Sequence, residues 1–147
     1  MPYKIIVADA SVSVQRAVQL AFPEPEFRLF PVEDGAALLG AAEELRPDAI
    51  LISTSLPGRD PLEVGRLLRA REDFRRVPLL FLKGTFDAPD PARPVPDNDG
   101  VFTKPFDSDR LAASVRELIE AKAAPPTLPE EPVFQTGGNG RGPKARA

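Results

Sequence analysis

The sequence predicts an α/β protein: a doubly wound sheet of five parallel strands with helices on both faces. Three observations carry this. Short apolar runs rich in β-branched residues recur along the chain. Stretches with apolar residues at i, i+3 and i+4 separate them, and proline or polar clusters mark the joins. Strands covered on both faces read as continuous apolar runs, as a parallel sheet requires. With 147 residues, 42% apolar and 28% charged, the chain can bury one core of ordinary size.

Ile5–Ala8 is the first buried strand. Val14, Ala17, Val18 and Ala21 then form one stripe of a helix starting near Ser11, stopped by Pro23 and Pro25. Arg28–Val32 is a second strand. Its internal Pro31 cannot donate to a ladder, so this strand belongs at a sheet edge. Leu38, Leu39, Ala42 and Leu45 outline a second helix, closed by Pro47. Asp48–Ser53 is the central strand. Asp60 followed by Pro61 reads as an N-cap and first-turn proline, opening a third helix with Val64, Leu67 and Leu68 on its apolar face. Leu79–Leu82 and Val101–Thr103 are the last strands, and a final helix from Ser108 shows Leu111, Val115, Leu118 and Ile119 on one face. Between those strands, 84–100 holds Pro89, Pro91, Pro94 and Pro96, a spacing that forbids a useful α-helix. The fourth helix of a regular fold of this kind is therefore expected to be reduced or replaced by a Pro-rich loop.

The domain is expected to span 1–122. Residues 123–147 hold five Pro and four Gly and read as a disordered tail or linker, whose P-x-x-P spacing (Pro126, Pro129, Pro132) could serve for docking. The chain has no Cys and no His, which excludes disulfides, thiolate catalysis, Cys- or His-ligated metals and Ser-His-Asp chemistry. A net charge of −3 argues against general binding to nucleic acid or an anionic membrane. No segment has membrane-span length, and Ile5–Ala8 is too short for a signal peptide, so a cytoplasmic protein is expected.

In an open parallel sheet, reactive groups gather at the carboxyl ends of the strands. Those ends are Asp9 and Ala10, then Ser53, then Lys83 and Gly84, then Lys104. The segments around them, 5–11, 47–63, 77–84 and 102–106, come in the order and near the spacing of a known family. Over residues 3–121 the chain resembles the response-regulator receiver (CheY-like) domains of two-component signalling. The resemblance implies a flavodoxin-like sheet of order 2-1-3-4-5. It also implies a site: two adjacent acids after the first strand and an aspartate ending the third hold Mg²⁺, and that aspartate takes the phosphoryl group. A Thr or Ser ending the fourth strand and a Lys before a Pro after the fifth complete it. The chemistry is positioning and charge neutralisation.

Matched to this pattern, Asp9 keeps the first acid, but the second is Ala10, the acceptor position is Ser53 and the hydroxyl position is Lys83. Lys104 and Pro105 are retained, while the aromatic switch position is Val101, beside Phe102. Magnesium wants several hard oxygen ligands. Lys83 at roughly 4 Å from such an ion would add repulsion on the order of 8 kcal/mol at an effective dielectric near 20. Ser53 is a weak nucleophile with no base to activate it. The expectation is a degenerate pseudo-receiver: not an enzyme, with no Mg²⁺ and no other cofactor. Asp9 is expected to pair with Lys104, with Lys83 as a possible third member. An anion held by Lys83, Lys104 and Ser53 is the alternative.

By this reading the protein is a phosphorylation-independent interaction module whose partner is another signalling protein. The contact face is expected at the fifth strand, the last helix and the 84–100 loop, with Val101, Phe102, Phe106 and Phe86 as candidates. The runner-up is an active phosphorelay receiver that uses a displaced acid, Asp60. A hydrolase or flavin carrier lacks any supporting motif.

Overall fold

The structure, a computed structural model, describes residues 2–84 and 98–123. The expectations for the loop over 85–97, for Phe86 within it and for the tail lie outside the described residues. The elements are β1 (Tyr3–Ala8), α1 (Val12–Ala21), β2 (Phe27–Val32), α2 (Gly35–Leu45), β3 (Ala49–Ser53) and α3 (Pro61–Ala70). A 3-10 turn (Glu72–Phe74), β4 (Leu79–Lys83), β5 (Gly100–Thr103) and α4 (Ser108–Ala123) follow. The sheet is parallel throughout and ordered β2-β1-β3-β4-β5, the 2-1-3-4-5 order of a flavodoxin-like α/β fold.

Local chemistry starts the helices. Ser11 Oγ accepts from Val14 N at 3.3 Å, Asp34 Oδ1 from Ala37 N at 2.8 Å, and Asp60 Oδ1 from Leu62 N at 3.0 Å. Each satisfies an amide that the first helical turn leaves open. Pro31 does sit on an edge strand. Val32 O accepts from Asp9 N, so alternation turns Pro31 away from β1, and its missing N–H faces the open edge.

Strand alternation sorts the core into two layers. Ile5, Val7, Ala49, Leu51, Leu80 and Leu82 pack against Val18 of α1 and Leu111, Val115 and Ile119 of α4. Ile6, Ala8, Ile50, Ile52, Leu79 and Phe81 pack on the other face against α2 and α3. Each fully buried Val, Leu, Ile or Phe among them contributes about 1.5–3 kcal/mol of burial free energy. Two glycines serve the α2 face. A Cβ on Gly35 would lie 2.3 Å from Arg59 O, and Gly58 holds φ +81° beside Asp34. The start of α2 can thus press directly on the loop that leaves β3.

The amino edge of the sheet is tied by Asp99, which immediately precedes β5. Its Oδ2 accepts from Leu79 N at 2.9 Å and pairs with Arg69 of α3, and its Oδ1 pairs with Lys122 of α4 at 2.9 Å. Burial alone would raise this carboxyl. The Leu79 amide, Lys122 and Arg69 outweigh burial and hold it below the ordinary carboxylate range.

Candidate functional site

The loops at the carboxyl edge of the sheet converge on a small polar cleft. Asp9 follows β1 and is 3% exposed; Ser53 ends β3 and is 1% exposed. Both lie on the α1/α4 side, in line with Val7 and Leu51. Lys104, just after β5, enters from the same side: its Nζ lies 2.8 Å from Asp9 Oδ2 and donates to Ser53 Oγ at 3.3 Å. Ser53 Oγ also lies 3.0 Å from Ser55 Oγ and accepts from Ser55 N at 3.2 Å. The sequence-level expectation of an Asp9–Lys104 pair is therefore realised in the geometry, and Ser53 joins it.

Asp9 is held from both ends. Its Oδ1 accepts from Ser11 N at 2.9 Å, which folds the carboxylate back over the start of α1. Its Oδ2 is buried and accepts no well-directed hydrogen bond, so it meets Lys104 as charge against charge. Gln15 of α1 donates from Nε2 to Val7 O and Asp9 O, both at 2.9 Å, and locks the last turn of β1 against the helix. Sequence reasoning missed Gln15. Its spacing of i+6 and i+8 from the two carbonyls is visible in the chain, but only the β1–α1 turn brings them to one amide.

Lys83 does not join the pair. It follows Leu79 and Phe81 by strand alternation, so it projects toward the α2/α3 face, and it makes no ion pair among the described residues. The triad of Asp9, Lys104 and Lys83 is thus reduced to a pair. The anion alternative, which needs Lys83 and Lys104 together, loses one of its two cations. The Lys83 backbone still contributes, since its carbonyl accepts from Lys104 N at 2.7 Å and sets the height of Lys104 above the sheet. The Lys104–Pro105 peptide is cis.

The remaining candidates are dispersed. Ala10 is exposed beside Asp9. Val101 is 44% exposed on β5, whereas Phe102 is partly buried against the α1/α4 core. Phe106 packs on that same core and, with Ser13, Val14, Ala17, Lys104 and Pro105, lines a largely apolar cavity of about 340 Å³ between α1 and the turn into α4. Asp60 is occupied at the α3 N-terminus, where it caps Leu62.

Magnesium is the ion that a receiver of this architecture implies, and the residues present do not fit it. Magnesium takes near-octahedral hard-oxygen coordination, through one or two carboxylates free to face it together with waters or phosphate oxygens. Among the described residues the cleft offers one carboxylate, already against an ammonium, and two hydroxyls that bond each other. Among the described residues there is no cluster of three or more Asp, Glu, His or Cys side chains able to hold a metal.

No family model matches the chain. Curated relatives do. The chain is 32% identical over 120 residues to the DNA-binding response regulator MtrA of Mycolicibacterium paratuberculosis, an alignment covering 81% of this chain and 52% of that protein. The chain thus spans about half the length of these MtrA relatives. It is 23% identical over 123 residues to sporulation initiation phosphotransferase F of Bacillus subtilis, covering 84% of this chain and 98% of that one. Among solved structures, the signal receiver domain of a histidine kinase from Syntrophus aciditrophicus superposes with a TM-score of 0.75 at 22% identity, covering 86% of this chain and 96% of that one. The receiver domain of the sensor histidine kinase PA1611 from Pseudomonas aeruginosa, solved with magnesium in its active-site cleft, gives 0.72 at 26% identity, with coverage of 82% and 99%. Sequence similarity and fold together make the described part of this chain a response-regulator receiver domain of the CheY-like kind.

Proposed function

We propose that this receiver is a pseudo-receiver: a protein–protein interaction module of two-component-type signalling that works without aspartyl phosphorylation and is not an enzyme. One observation carries the reading. Ser53 stands at the acceptor position, buried and engaged with Lys104 and Ser55, and Asp9 is the one carboxylate of the cleft among the described residues. A serine hydroxyl needs a base to attack phosphorus, and the groups bonded to Ser53 Oγ among the described residues are an ammonium, a backbone amide and another hydroxyl. The displaced-acid reading gains no support, because Asp60 is spent on the α3 cap.

A protein that is not switched by modification acts through being recognised. The partner on this reading is another signalling protein, bound at β5, α4 and the connection preceding β5. Val101, exposed and apolar, is the described residue best placed to be buried in that contact. A cytoplasmic location follows from the proposed role. No helix among the described residues is long and apolar enough to cross a membrane.

The test is incubation with acetyl phosphate and Mg²⁺, followed by intact-mass measurement under conditions that preserve acyl phosphates. The expected spectrum is unchanged. A species heavier by one phosphoryl group, abolished by Asp60→Asn, would instead establish the displaced-acid receiver.

A further inference from the structure

We propose that the amino edge of the domain is a docking site for an acidic segment of its own chain. Arg75 and Arg76 receive Glu130 and Glu131, and the chain that follows α4 is strapped back across that edge. This contact is independent of the chemistry in the cleft.

The arginines of the amino edge are unequally matched. Arg46 pairs with Asp73, Arg69 with Asp99, and Arg71 with both Glu43 and Asp73. Arg75 and Arg76 are exposed, and neither faces a carboxylate among the described residues. Arg76 makes one contact, from Nη2 to the Lys122 carbonyl at 3.4 Å, which is little for a planar fork of donors suited to grip a carboxylate.

The same neighbourhood fixes where the pair sits. Arg69 Nη1 donates to the carbonyls of Arg75 at 2.8 Å and Val77 at 3.0 Å. Its Nη2 meets Lys122 across Asp99. The two unmatched guanidinium groups therefore stand beside the last turn of α4, which ends at Ala123. Glu130 and Glu131 are the only acidic residues in 124–147, and Pro129 and Pro132 flank them. Glu130 is the seventh residue after Ala123. Seven residues span at most about 25 Å, so the acids stay within one domain's width of the arginines. A tether this short gives an effective concentration in the millimolar range. Proline on both sides leaves the acid pair fewer backbone states to lose on docking. An exposed ion pair is weak alone, so the contact draws on both pairs and on the tether, and it is sensitive to salt.

The chain has no cysteine, so Gln135→Cys places a single nitroxide label just beyond the acid pair. Paramagnetic broadening of amide signals is then read on the full chain. At low salt the Arg75, Arg76 and Val77 signals are expected to lose intensity severalfold, while those of Ala10, Ser53 and Lys104 at the carboxyl edge keep theirs. In the same labelled background, Arg75→Glu with Arg76→Glu is expected to abolish the loss. Adding Glu130→Lys and Glu131→Lys is expected to bring it back. Arg75→Glu alone, which leaves the Lys122 contact in place, is expected to weaken the effect without disturbing the fold. About 1 M NaCl, where the Debye length is about 3 Å, is expected to erase most of it. Broadening that charge reversal leaves unchanged would report the tether and nothing more, and it overturns the proposal. So does the absence of broadening at Arg75 and Arg76, or a fourfold variant that does not regain it. A free acidic peptide that shifts the arginine signals of an unbroadened wild type would assign the site to an acidic partner and overturn the tail as its occupant.

Discussion

The two ends of the sheet each hold a partly or fully buried aspartate facing a lysine, yet they are built for different ends. At the amino edge, Asp99 gathers Arg69, Lys122 and the Leu79 amide, so both its oxygens are matched and three elements are tied to one carboxylate. At the carboxyl edge, Asp9 is more deeply buried, 4% against 15% side-chain exposure, but among the described residues meets a single cation. The richer set belongs to the amino edge, where a receiver has no chemistry to do. The sparser set occupies the place where a receiver would assemble its metal and acceptor. Asp99 behaves as a fastener. Asp9 stands at its edge with Ala10 and Ser53 as neighbours in place of further acids.

That contrast can be broken most directly at the amino edge. Asp99→Ala leaves Arg69 and Lys122 without their carboxylate and opens the Leu79 amide. We expect a loss of about 2–3 kcal/mol in urea unfolding, below the figure for a fully buried pair because solvent screens part of the cluster. A loss under 0.5 kcal/mol would make the fastener ornamental.

The acid limb of stability sharpens the same point. The Asp99 carboxyl is held below its ordinary value of 3.8, so its contribution is complete above that value and disappears as pH falls through the lower folded-state value. Asp99→Asn should therefore cost stability at neutral pH and flatten the decline below about pH 4, the ordinary carboxylate range. Parallel curves for the two proteins from pH 6 to 2 (a span set by those carboxylate values) would contradict the assignment.

The smallest expected effect lies at the carboxyl edge. Gln15→Leu removes two hydrogen bonds to the Val7 and Asp9 carbonyls. It is expected to cost about 1–2 kcal/mol and to broaden amide signals from Asp9 to Ser13, with the sheet unaffected. Unchanged signals there would show that the β1–α1 turn needs no such lock.

Much of this architecture is legible from local chemistry. The caps at Ser11 and Asp60 are short-range signals, as is the turn forced by Pro57 and Gly58. Pro31 marks its strand as an edge because a missing N–H has the same effect wherever the strand lies. The boundaries shift where long-range contacts extend or trim an element. Phe27 joins β2 because Tyr3 pairs with it, and Asp48 stays outside β3 because its side chain is bonded to Lys4 N.

The cleft was legible in part. Asp9, Ser53 and Lys104 each end or follow a strand, and sequence position brings such residues to one edge. Which face each takes depends on register, where a shift of one residue reverses every side chain. Lys83 is the case in point: it ends its strand like Ser53 but lies one step out of phase with it, paired across to Thr103 while Ser53 pairs to Leu82. Asp99 carried no local signal at all, because its partners are 20 to 30 residues away.

Sequence alone determined the order of strands and helices and the placing of Ala10 and Ser53 at the strand ends beside Asp9, because periodicity, caps and residue identity are properties of the chain itself. Tertiary structure decided that Lys104 and not Lys83 faces Asp9, that Gln15 locks the first turn and that Asp99 closes the opposite edge. Those outcomes depend on the register and separation of strands, which long-range packing sets and no short window of residues contains.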